Sequence, residues 1–148
     1  MDITGEQLIP KPQRVTWDAI CDPAVLKVCI PGCESMEQVS PSEFQLVLAA
    51  KVGPVSAKFK GKITLANVDA PNVYTLIFEG QGGVAGFAKG QADVKLAPEG
   101  DATRLAYTAK ATIGGKLAQV GSRLVDGVAK KLATDFFTAF NKHLSGAA

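Results

Sequence analysis

Histidine is almost missing from the chain. A single His143 stands among 148 residues, in what reads as the last turn of a C-terminal helix, where a partly cationic imidazole complements the helix dipole. One imidazole is too few for a His-based zinc site, and the three cysteines do not make up the deficit. Cys29 and Cys33 have three residues between them rather than two, and no second Cys or His pair follows. Cys21, Cys29 and Cys33 are odd in number and crowded together, a poor disulfide framework that points to a reducing compartment. Charge of one sign is lacking too. Against 16 Lys+Arg stand 14 Asp+Glu, with no basic stretch interleaved by aromatics, which argues against nucleic acid as a partner. Long apolar runs are absent: nothing approaches the ~18 residues of a membrane span. The opening MDITGEQLIP carries Asp2 and Glu6 where a signal peptide has a basic region. The expectation is one cytoplasmic domain over residues 1–148, without a metal and without a built-in cofactor.

What is present is mostly alternation. Residues 2–10 alternate weakly up to the Pro10-Lys11-Pro12 breaker. Two short helical segments follow, the second opened by Asp22-Pro23, where Asp22 can cap and Pro23 suits the first turn, and closed by Pro31-Gly32. From there to about residue 113 the period is two. Phe44, Leu46, Leu48, Ala50 and Val52 share one face; so do Val55, Ala57, Phe59, Gly61, Ile63 and Leu65, opposed by Lys58, Lys60 and Lys62; so do Leu105, Tyr107, Ala109, Ala111 and Ile113. Residues 73–80 are apolar on both parities. The short turns between these runs favour an antiparallel meander. After Gly114-Gly115 the period becomes helical, and Leu117, Val120, Leu124, Val128, Leu132, Phe136 and Phe140 mark one stripe of a helix predicted over 115–143. The predicted fold is α+β: a strand, two short helices, about six antiparallel strands, and a long C-terminal helix closing one face of a curved sheet.

The stretch EGQGGVAGFAKGQADV, residues 79–94, contains a GxGxx[GA] match at Gly80, Gly82 and Ala85. A dinucleotide fingerprint requires a helix to begin there, so that its N-terminus meets the pyrophosphate. The residues that follow alternate as a strand, which removes that reading. No P-loop replaces it, because neither Gly61-Lys62 nor Gly115-Lys116 is followed by Ser or Thr.

The inward face of that strand is unusually small: Gly86, Ala88, Gly90, Ala92. Such residues signal either close packing of helix on sheet or a space between them. If it is a space, the other residues expected to line it are Phe59, Ile63, Tyr107, Leu117, Gly121, Leu124, Val128 and Phe136, and it suits an apolar ligand. Catalysis finds little support, since Glu79, Asp93 and Asp126 are not spaced as a working pair. Lys58, Lys60 and Lys62 form a basic stripe, which reads as solvated surface or as a docking patch for an acidic partner or anionic lipid.

Four runs carry a family resemblance: Cys29-Ile-Pro-Gly-Cys33-Glu34, Lys51-Val-Gly-Pro-Val55 leading into Phe59-Lys-Gly61-Lys62, Gly82-Gly-Val-Ala-Gly-Phe-Ala-Lys-Gly90, and Gly114-Gly-Lys-Leu-Ala-Gln-Val-Gly-Ser-Arg-Leu124. Over essentially its whole length the chain resembles the carbon monoxide dehydrogenase CoxG family of the START-like, SRPBCC helix-grip superfamily. The resemblance implies a sheet gripping a long helix around an apolar cavity. It further implies a non-enzymatic accessory role beside a molybdenum hydroxylase such as carbon monoxide dehydrogenase, attaching it to the inner face of the cytoplasmic membrane, with a bound quinone or lipid giving the cavity a purpose. Two other readings are a pure interaction protein with a packed interior and a cyclase or hydrolase of helix-grip type.

Overall fold

In the computed structural model, which describes residues 2–145, β1 (Asp2–Ile9) leads into α1 (Gln13–Ile20) and α2 (Pro23–Cys29). Six strands follow: β2 (Cys33–Ser40), β3 (Glu43–Val52), β4 (Val55–Asp69), β5 (Val73–Gln81), β6 (Phe87–Glu99) and β7 (Ala102–Gly114). A four-residue helix α3 (Lys116–Gln119) precedes the long α4 (Ser122–Ser145). All seven strands form one curved antiparallel sheet in the order β1-β7-β6-β5-β4-β3-β2. Every neighbouring pair except β1 and β7 is joined by a short connection, so the meander read from the turn residues is the sheet that forms.

Local chemistry explains the helices. The Asp22 carboxylate accepts from the Ala24 N–H at 2.9 Å, and Pro23 occupies the first turn of α2. A buried hydroxyl pair pins α1 to the sheet: Thr103 Oγ1 donates to the Lys11 carbonyl at 2.8 Å, and Thr16 Oγ1 lies 3.3 Å from Thr103 Oγ1. Buried hydroxyls cost stability unless paired, and these are paired.

The C-terminal helix is not continuous over 115–143 as the periodicity predicts. Gly121 adopts φ +97°, a conformation that β-carbon sterics deny other residues, and the chain turns there before α4 begins. The 24 residues of α4 span about 36 Å. Its buried face matches the predicted stripe at Phe140 and departs from it elsewhere: Phe137 and Leu144 are also buried, whereas Leu124 is 40% exposed.

Two apolar clusters form. The larger gathers Ile9, Trp17, Ile20, Tyr74, Leu96, Leu105, Phe137 and Phe140 beneath α1 and the end of α4. The smaller joins Val52, Phe59, Ala85 and Leu117, with Ala88, Ile113, Val120 and Val128 packed against it.

Candidate functional site

The concave face of the sheet holds a cavity of about 350 Å³, within the range that binds small molecules. Its floor comes from alternate residues of five strands: Phe44 and Leu48 of β3, Ile63 and Leu65 of β4, Tyr74 and Leu76 of β5, Ala92 and Val94 of β6, Leu105 and Tyr107 of β7. Leu132, Ala133, Phe136 and Phe137 of α4 cover one side. The end of α1 and the α2 segment supply Ile20, Cys21, Leu26, Ile30 and Pro31. No lysine, arginine, histidine, aspartate or glutamate is among the lining residues.

Aromatic rings stiffen the wall. Tyr107 stacks on Phe137 with centroids 5.6 Å apart, Phe136 meets Phe137 edge-on at 5.0 Å, and Trp17 stands perpendicular to Tyr74 at 5.3 Å. Edge-to-face and offset pairs of this kind hold rings in defined positions. Polar atoms are few. Burial, and secondarily the nearby Cys21, pushes the Tyr74 hydroxyl well above the usual phenol range. Burial pushes the Cys21 thiol up to about 11, with Asp18 adding to the effect, so both groups stay neutral at pH 7. The thiols of Cys29 and Cys33 are raised as well, in each case chiefly by burial. Among the described residues no group of His, Cys, Asp and Glu is placed to hold a metal ion.

Of the residues expected at a cavity, the structure brings Ile63, Ala92, Tyr107 and Phe136 to it. Phe59 and Leu117 lie instead in the smaller packed cluster, against Ala88 and Val128. Leu124 lies over Gly53, and Gly121 sits at the exposed turn before α4. Gly86 and Gly90 are not among the residues that line the cavity. A β-carbon on Gly90 would overlap the carbonyl oxygen of Lys110, and one on Gly86, at φ +111°, would overlap that of Gly114. These two glycines let β6 and β7 approach closely, so the hollow face expected along Gly86–Ala92 narrows to Ala92. The strand also starts later than its alternation suggests: residues 83–85 form a single 3-10 turn that leaves Val84 84% exposed.

Tyr74 was not legible as a site residue because β5 is apolar on both parities. Its even residues face in, while Ile77 is 43% exposed on the outer face. The α2 contribution of Leu26 and Ile30 carried a helical signal, but nothing in it said which strands the helix would face.

Lys58, Lys60 and Lys62 point away from the cavity, on the outer face of β4. Lys58 pairs with Glu34 and Lys62 with Glu43, each at 3.2 Å. Lys60 forms no ion pair among the described residues. A further surface hollow of about 490 Å³ lies between β7 and the start of α4, lined by Ala111, Thr112, Ile113, Ala118, Ser122, Val125 and Asp126.

Comparison with known proteins agrees with this architecture. Residues 5–145 match the family described as the CoxG subunit of carbon monoxide dehydrogenase. A crystal structure of a conserved protein from Geobacillus kaustophilus is 30% identical, with a TM-score of 0.92 over 99% of this chain and 97% of that one. A START superfamily protein from Mycobacterium smegmatis superposes with a TM-score of 0.76 at 12% identity, covering 99% of both chains. The Zhui aromatase/cyclase from Streptomyces sp. R1128 superposes at 0.71 with 9% identity, covering 100% of this chain and 98% of that one. The last two are likenesses of fold alone. No match is found among curated proteins.

Proposed function

The chain belongs to the CoxG family of carbon monoxide dehydrogenase, and on that premise we propose that it is a non-enzymatic accessory protein that carries an apolar molecule, a quinone or a lipid, in the cavity beneath α4. It serves an oxidoreductase of the molybdenum carbon monoxide dehydrogenase type and links that enzyme to the cytoplasmic membrane, where the carried molecule originates. The single observation behind this reading is the cavity itself. A space of about 350 Å³ left without packing atoms costs on the order of 8 kcal/mol as an upper bound, taking ~24 cal/mol per Å³. That is comparable to the ~5–15 kcal/mol by which domains are stable, and an apolar occupant recovers much of it.

The wall argues for carriage rather than chemistry. General acid–base or nucleophilic catalysis requires a titratable pair within hydrogen-bond reach of a substrate, and the lining offers no carboxylate or imidazole, only the phenols of Tyr74 and Tyr107 and the Cys21 thiol. No helix among the described residues is long and apolar enough to cross a membrane; in this reading the link to the membrane runs through the carried molecule and a docking surface. The exposed lysine face of β4 is assigned to the partner in this reading, with Lys60 as its uncompensated charge.

Organic extraction of the purified protein, followed by mass spectrometry, tests the proposal. The expected result is a stoichiometric quinone or lipid that rebinds saturably after removal. No extractable ligand together with no saturable rebinding refutes it.

A further inference from the structure

Tyr74 belongs to the larger core and lines the cavity, and its hydroxyl lies near Cys21, another lining residue. The residue is only 4% exposed, lines the cavity, and makes no hydrogen bond among the described residues. Its ring is fixed by the perpendicular contact with Trp17 at 5.3 Å. Tyr107, by contrast, presents its ring to the cavity and carries its hydroxyl over Gly5 of the edge strand β1. Among the described residues the one fully enclosed polar side-chain atom without a partner is Asn141 Oδ1, so the Tyr74 hydroxyl remains accessible although its ring is buried, and a phenol so placed favours a hydrogen-bond partner. A hydroxyl without a protein partner in a hydrocarbon-lined space, joined only by the weakly donating Cys21 thiol, is therefore a position for an acceptor.

We propose that the Tyr74 hydroxyl donates a hydrogen bond to the polar end of the carried molecule, and that this end is an uncharged acceptor of the quinone-carbonyl or ester-carbonyl class. The inference rests on the reading of the cavity as an apolar-ligand site and narrows what that site accepts. A carboxylate or phosphate is excluded by the wall: without a lysine, arginine or histidine in the lining, an anion would be desolvated with no counter-charge. A neutral carbonyl needs a single donor, and Tyr74 supplies it. The ligand is thereby oriented, with its head toward Trp17 and the end of α1 and its hydrocarbon toward Leu132 and Ala133 of α4.

The test compares wild type with Tyr74→Phe using two probes, decylubiquinone, followed by quenching of Trp17 fluorescence, and diphenylhexatriene, a hydrocarbon without an acceptor, followed by its own emission. The variant is expected to bind decylubiquinone about fivefold more weakly, the value of one neutral hydrogen bond, and diphenylhexatriene unchanged. Wild type is also expected to bind methyl palmitate at least about tenfold more tightly than palmitate. Equal decylubiquinone binding by the two proteins, or equal losses for both probes, overturns the role of Tyr74 while leaving the cavity reading intact. Palmitate binding as tightly as its methyl ester overturns the requirement for an uncharged head. Wild type that binds neither probe overturns both this inference and the function it rests on. If Tyr74→Phe does not fold, the infrared carbonyl stretch of decylubiquinone bound to wild type decides: one band shifted to lower frequency than in hydrocarbon solvent is expected, and no shift refutes the hydrogen bond.

Discussion

Replacing Ala92 with Leu separates a cavity from a tightly packed interior. Ala92 lies on the inward face of β6, opposite Leu76 of β5 and Ala109 of β7, and lines the cavity. Leucine adds three carbons at this point. If they enter unfilled space, burial at ~0.8 kcal/mol per carbon stabilises the ligand-free protein by up to about 2 kcal/mol. If the space is already packed, overpacking costs about 1–3 kcal/mol instead. The two cases differ in sign, and at about 3 °C per kcal/mol for a domain of this size a thermal melt of extracted protein distinguishes them. The ligand response provides an independent check. For wild type, decylubiquinone at a hundred times its Kd raises stability by ~2.7 kcal/mol, or about 8 °C. The cavity is at the small end of ligand sites, so Ala92→Leu should lose nearly all of that increment while melting no lower than wild type. A variant that melts several degrees lower and retains the full ligand response would refute the placement of the site beneath Ala92.

Gly90→Ala tests the opposite expectation for a neighbour two residues away: its β-carbon meets the Lys110 carbonyl, so urea denaturation should register a loss of about 1–3 kcal/mol, whereas tolerance of alanine would contradict the close approach of β6 and β7. Asp22→Ala should cost about 1 kcal/mol through loss of the α2 cap and should weaken decylubiquinone binding, because Leu26 of that helix and Ile30 at its C-terminal cap line the cavity; a lowered midpoint with unchanged ligand affinity would dissociate helix and site. The Cys21 thiol, with its pKa raised to about 11, should resist iodoacetamide at pH 7 to 8 and react half-maximally only near pH 11. Since the folded state holds that proton more tightly than the unfolded chain, its contribution to stability is complete below pH 9 and is lost as pH rises from 9 through 11; alkylation at the rate of a free thiol, or stability that is flat over that interval, would contradict it. Lys60→Glu should reduce co-purification with a partner dehydrogenase while leaving decylubiquinone binding unchanged, and an unaffected complex would remove the β4 face from the docking surface.

Most of the fold was legible because its signals are local. Period two located the strands, the turn residues between them dictated antiparallel pairing, and Asp22-Pro23 marked the start of α2. The helix break was written in Gly121, but a glycine within a helical stripe is compatible with continuation, and only its φ of +97° reveals a turn. The site was legible in one dimension and not in the other. Parity says which face a residue occupies and correctly puts Phe59 and Ile63 on the same one. It does not say where along the strand a space opens. Four residues at ~3.3 Å each set these two about 13 Å apart, enough for Phe59 to enter the smaller cluster with Leu117 while Ile63 reaches the cavity.

The small residues of β6 show why composition could not settle the matter. Along one face, Gly90 and Ala92 are adjacent inward positions and equally small, yet they answer different demands. At Gly90 the neighbouring backbone of β7 occupies the place of a side chain, and the two strands come close there. At Ala92 nothing fills the place, and the wall of the cavity passes through it. The helix packs firmly where Phe137, Phe140 and Leu144 are buried and spans the remainder as a roof through Leu132 and Ala133. The glycine two residues before Ala92 sets the approach of β6 to β7, and the room for a hydrocarbon begins at the alanine that follows it on the same face.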